Sequence, residues 1–320
     1  TAVPHIPPAA RLVCLGLARL LGACGAPAAT AQAGSTPAAE PTASAALPGT
    51  TGGGYTAPPM AESGFHPEAA AGENGALIDL SCVAQGVVAA SAENDHRLKF
   101  QVVCGETRYN YDLPGDGTPQ VFPLQSGDGS YTFRVMQNTT EDKYVEICAV
   151  QAEVTLESEF APFLRPSQYV NYGPGSDCVA LAADLAAQAA DEAGAVANIY
   201  AYIRDTITYD TAKAATVQSG YLPDPDETLA TGQGICFDYA ALAAAMLRSQ
   251  GIPTKLITGY VSPGDLYHAW NMIWLEESGW ITVEIEAPAH SWERIDLTFA
   301  AGAPGEFTGD GTGYTDRLTY

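Results

Sequence analysis

The stretch "GQGICFDYAALAAAMLRSQGIP", residues 232–253, sets a cysteine behind two glycines and at the head of an alanine-rich run. On a helix Cys236 shares a stripe with Tyr239, Ala240, Ala243 and Leu247, which alone would make it one more small core side chain. Its place at the helix start gives a second reading. The positive end of the helix dipole and the unpaired first-turn amides favour a thiolate, the form that attacks carbonyl carbon. Such a nucleophile needs a base. Of the five histidines, His5 lies in the leader, His66 in a low-complexity stretch, His96 in a turn and His290 in the turn-like "APAHSW". His268 opens "HAWNMIWL", where Trp270, Met272 and Trp274 share its face by strand alternation. A carboxylate should hold the other imidazole nitrogen. "SWERIDLTF" supplies Asp296 on the face of Trp292 and Arg294, opposite Ile295, Leu297 and Phe299, whereas Glu284 and Glu286 in "GWITVEIEA" read as ordinary solvent-face residues.

The elements that must position these groups follow from pattern. "CVALAADLAAQAADEAG" and "AVANIYAYIRDTITYD", with Val196, Ile199 and Ile203 in register, predict two helices. In "PDPDETLATGQG" Asp224 is placed to cap a short helix with Pro225 first and Glu227 third. Beyond Gly251 the runs "TKLITGYV", "HAWNMIWL", "GWITVEIEA" and "SWERIDLTF" read as strands. Helices followed by an antiparallel sheet predict an α+β domain over 171–320. Before it, "RLKFQVVC" and "SYTFRVMQN" alternate between turn signals, predicting an all-β sandwich-like domain over 76–170 that serves as spacer or binding module. Residues 25–75 are rich in Ala, Pro, Gly and Thr and read as a disordered tether.

A glycine-led cysteine opening a helix, then "YHAWN", then "W-x-x-I-D-x-T-F", in that order, resembles the transglutaminase-like superfamily of papain-like fold. The resemblance covers roughly 195–300 and is closest to the bacterial lipoprotein branch. It implies Cys236 as nucleophile, His268 as general base and acid, and Asp296 as orienting carboxylate, acting through a thioester captured by water or an amine. The Cys236 amide would be one oxyanion donor; Gln233 and Tyr209 are candidates for the second. Leu297 stands where the family usually has proline. Ile235 and Phe237 flank the cysteine where animal cross-linking enzymes carry Gln and Trp. Nothing has the spacing of an EF-hand loop, so calcium-activated cross-linking lacks support.

The first 24 residues are expected to be a signal: Arg11, an apolar run from Leu12, then Leu21-Gly22-Ala23-Cys24, which resembles a lipobox with Cys24 lipidated. Arg19 departs from that pattern. The expected location is therefore extracytoplasmic, anchored to the membrane by lipid. There disulfides are available, and Cys82, Cys104, Cys148 and Cys178 admit three pairings. No C-x-x-C or C-x-x-H spacing suggests zinc, and no metal or cofactor is expected. Lys+Arg is 14 against Asp+Glu 37, a net charge of −23 with no basic cluster, which excludes nucleic acid as partner. The expected partner is a protein or peptide substrate of the cell envelope. The function expected is a thiol hydrolase or acyltransferase acting on amide bonds; the alternative is a non-catalytic surface lipoprotein that uses the papain-like domain as scaffold.

Overall fold

The computed structural model describes residues 54–261, 266–276, 278–282 and 314–320, all within one compact unit, Thr50–Tyr320. Eight strands come first: β1 (Ala71–Glu73), β2 (Ala76–Asp79), β3 (Val87–Ala92), β4 (Leu98–Cys104), β5 (Thr107–Leu113), β6 (Gln120–Pro123), β7 (Gly129–Thr140) and β8 (Lys143–Val154). They form two antiparallel sheets, ordered β1-β2-β3-β6 and β5-β4-β7-β8. Alternation decides what each face does: Leu98, Phe100 and Val102 of β4 are buried, while Lys99, Gln101 and Val103 between them are only half-buried. Phe100 stacks on Phe122 of the other sheet at 4.5 Å between ring centres, so the two sheets share an interior, as the sandwich-like reading requires.

The chain then turns helical through α1 (Asp177–Ala187), α2 (Glu192–Thr206), the short strand β9 (Thr208–Tyr209), α3 (Thr211–Thr216), α4 (Pro225–Thr231), the two-residue β10 (Gln233–Gly234) and α5 (Cys236–Ser249). It ends in β11 (Thr254–Val261), β12 (Leu266–Leu275), β13 (Gly279–Thr282) and β14 (Tyr314–Thr319), an antiparallel sheet ordered β13-β12-β11-β14. The α+β class with a β-rich region ahead of it is what the structure shows. β14 was not legible in the sequence; its edge pairing with β11 brings Tyr320 beside Leu256, where the two backbones exchange hydrogen bonds of 2.7 and 2.8 Å.

Helix α5 is buried from Asp238 to Ser249, and its alanines let α1, α2 and the sheet close around it. Arg248, on this helix, is fully buried, and its guanidinium donates to the carbonyls of Thr254 (2.9 Å), Arg165 (2.9 Å) and Tyr320 (3.0 Å). Burial pushes it down to about 10, which still leaves it charged at neutral pH. One side chain thereby ties α5, the C-terminal strand and the segment after β8 together. The apolar interior is correspondingly continuous, running from Phe100 and Phe122 through Val170 to Leu242 and Ile273.

Composition placed 54–75 in the tether, yet these residues run along the folded unit. Tyr55 donates through its amide to Ala189 O (2.9 Å) and through its hydroxyl to Gln250 O (2.7 Å), and Ser63 donates to Pro166 O (2.9 Å). His66 donates its amide to the buried Asp79 (2.7 Å). A few anchoring side chains suffice for such a strap, and an average over Ala, Gly and Pro conceals them. Among the described residues no helix is long and apolar enough to cross a membrane.

Candidate active site

The approach to Cys236 is built locally. Asp224 caps α4 by accepting from the amides of Asp226 (3.0 Å) and Glu227 (3.1 Å), with Pro225 in the first turn, as the sequence predicts. The chain then pairs β10 in parallel with β9 and enters α5. Gly234 is needed at this bend, because an added Cβ would lie 2.7 Å from that of Asp238. Ile235 is the N-cap residue and has no side-chain acceptor, so the first-turn amides of α5 are left without a side-chain cap and the positive helix end lies at Cys236. Asp238 reaches back to accept from the Ile235 amide at 2.8 Å, which fixes the entry into the helix.

His268 lies on β12, opposite Gly259 of β11, and is 5% exposed. Its ring lies nearly parallel to that of Trp270, with centres 6.4 Å apart. Three residues on, the buried Asn271 donates to Ala240 O of α5 (3.0 Å) and to Lys255 O (3.3 Å), while Tyr200 of α2 donates to its side-chain Oδ1 (3.2 Å). The asparagine of "YHAWN" thus locks the histidine strand to the cysteine helix.

Cys236 and His268 line one cleft of about 620 Å³. The structure therefore brings together two of the three residues singled out for catalysis. Asp296 lies outside the described residues, as do Cys24, Glu284 and His290. Tyr209 lines the cleft, whereas Gln233 is exposed and lines a separate depression beside Lys213 and Thr228. The backbone register adds one acidic residue that the sequence reading missed: Gly259 pairs with His268 on one side and with Asp316 of β14 on the other, where the register shifts.

The cleft has a second wall that sequence reasoning did not foresee. Lys99 of β4 and Asn110 and Asp112 of β5 line it, together with Tyr169, Tyr320 and the connection between α3 and α4. Aromatic rings join the two walls: Tyr169 meets Phe237 edge-on at 5.3 Å and Tyr320 at 4.7 Å. The β region is thus part of the cleft. Alternation along β4 and β5 places Lys99, Asn110 and Asp112 on an outer face, and only the folded chain shows what that face meets.

The five cysteines among the described residues are free thiols. Cys178 is buried and donates its amide to Asp226 (2.9 Å); burial above all pushes its thiol well up, so it stays protonated and unreactive. Among the described residues no three His, Cys, Asp or Glu side chains converge as a metal site.

Residues 179–285 match the family model of the transglutaminase-like superfamily, a span that includes Cys236 and His268 and stops before Asp296. A protein-glutamine gamma-glutamyltransferase from Pseudomonas aeruginosa is 35% identical over 66 residues, 17% of this chain and 10% of that protein, so the match spans about a tenth of the relative's length. Among solved structures, a protein from Cytophaga hutchinsonii assigned to the cysteine proteases aligns at 16% identity and a TM-score of 0.38, covering 72% of this chain and 73% of that one. Red sea bream transglutaminase aligns at 14% identity and a TM-score of 0.28, covering 61% of this chain and 47% of that one. The helix that carries Cys236 and the strand that carries His268 therefore both lie within the span that matches the transglutaminase-like superfamily.

Proposed function

We propose that this chain is a thiol enzyme that opens amide bonds, with Cys236 as nucleophile, His268 as general base and then acid, and Asp296 as the carboxylate that orients the imidazole. The observation that carries the reading is the shared cleft: a cysteine at an uncapped helix start and a buried histidine on the neighbouring strand line the same cavity. The sulfur attacks the carbonyl carbon while His268 takes the thiol proton. The tetrahedral intermediate collapses as the imidazolium protonates the departing amine, leaving a thioester. Water or a second amine, deprotonated by His268, then releases the acyl group. The Cys236 amide at the helix start serves the oxyanion. We place the enzyme outside the cytoplasm, tethered through lipid on Cys24 and acting on proteins or peptides.

The test is alkylation of the full chain with iodoacetamide at mildly acidic pH, read at the Cys236 peptide by mass spectrometry. Faster reaction than free cysteine, lost in His268→Ala, is the expected result; equal rates would sink the reading. Amine incorporation measured beside ammonia and peptide release then separates transfer from hydrolysis.

A further inference from the structure

The connection between α3 and α4 is a loop with no regular structure of its own, fastened through a buried carboxylate. Asp238 is fully buried two residues past Cys236. Besides the Ile235 amide, its carboxylate accepts from the Tyr221 hydroxyl at 2.6 Å and the Lys213 ammonium at 2.8 Å, and Lys213 also donates to the Tyr221 oxygen at 2.6 Å. The Lys213 ammonium sits 4.5 Å from the centre of the Tyr221 ring. A buried carboxylate is tolerable only with such partners, and here one comes from α3, just before the loop, and one from the loop itself. Between them, Val217 is 37% exposed and lines the cleft with Gly220. At its far side the loop merely abuts the β wall: a Cβ on Gly220 would come 2.8 Å from Asp112 Oδ2. The loop is therefore held from the α5 side, by a pin rooted in the nucleophile's own helix turn.

We propose that Lys213 and Tyr221 are positioning residues that, clamped on Asp238, hold the segment 217–220 as the selectivity wall of the thiol cleft, so that bulky acyl groups are kept from Cys236. The inference rests on the proposed thiol chemistry for its meaning but not for its test. Iodoacetamide and 5-iodoacetamidofluorescein share one reactive group and differ in size. In the full chain their alkylation rates at Cys236 give a size-selectivity ratio. In Lys213→Met, and separately in Tyr221→Phe, iodoacetamide should react at about the wild-type rate while the fluorescein reagent gains up to about tenfold, the shift that loss of a hydrogen bond worth about 1.4 kcal/mol produces. An unchanged ratio in both variants overturns the proposal. So does a parallel change of both rates with a lowered melting temperature, which would mark a merely structural role. A wild-type Cys236 no faster than free cysteine sinks the enzyme reading alone, because the ratio still reports the wall.

Discussion

On the α5 side of the cleft the polar groups are buried and bonded: Asp238 to three donors, Asn271 between α2, α5 and β11, Arg248 to three carbonyls. On the β5 side, Lys99, Asn110 and Asp112 stand on the outer face of a sheet, and the Asp112 carboxylate pairs with the exposed Arg97 at 3.0 Å. The first wall is fixed, since removing a polar partner there strands a buried group without water. The second can change side chains without disturbing the core beneath. The difference is between a wall fixed by its buried polar groups and a sheet face whose side chains are free to vary.

That contrast is tested most directly at Asp296, the proposed third member of the catalytic set. Asp296→Asn should lower kcat by about a hundredfold or more, the scale of losing the group that orients a general base, while Asp316→Asn should leave it nearly unchanged. The reverse outcome in steady-state kinetics would transfer the role to the β14 residue that pairs with Gly259, the β11 partner of His268.

Arg248→Met tests the buried wall for stability. It strands three carbonyls and should cost roughly 3 kcal/mol in urea unfolding, with a lower denaturation midpoint and unchanged slope.

A smaller effect should appear in alkali. Burial alone would lower Lys213, but its bonds to Asp238 and Tyr221 hold it above its ordinary value, and Tyr221, raised chiefly by burial, is pushed up to about 12. Both folded values exceed the unfolded ones, near 10, so this stabilisation is whole below pH of about 10 and is lost as pH rises toward about 12 and beyond. Wild-type stability should therefore fall more steeply over that window than that of Lys213→Met, measured by denaturant titration at each pH.

The smallest effect is expected on the exposed wall. Lys99→Ala should change stability by less than about 0.5 kcal/mol while moving KM for charged peptides more than kcat. A large loss of stability would show that this wall too is structural.

Much of the buried wall was legible. The α4 cap, the start of α5 and the alternating runs of β11 and β12 are local signals, and Cys236 and His268 stand out because few residue types at such positions do chemistry. The strap from residue 54, β14 and the β5 side of the cleft were not. Tyr55 reaches Gln250 across 195 residues, and no periodicity encodes such a partner. Asp238 reads as an ordinary first-turn acid of a helix; that it is fully buried and pinned by Lys213 and Tyr221 emerges only when the α3–α4 loop folds back on it.

By itself the sequence determined which elements form and which residues are chemically able, because capping, alternation and helical spacing act over a few residues along the chain. The tertiary structure alone decided that the β region walls the cleft, that Asn271 fixes the histidine strand against the cysteine helix, and that one buried carboxylate holds the loop beside the thiol. Those are contacts between distant segments, selected by the need to pair every buried polar group.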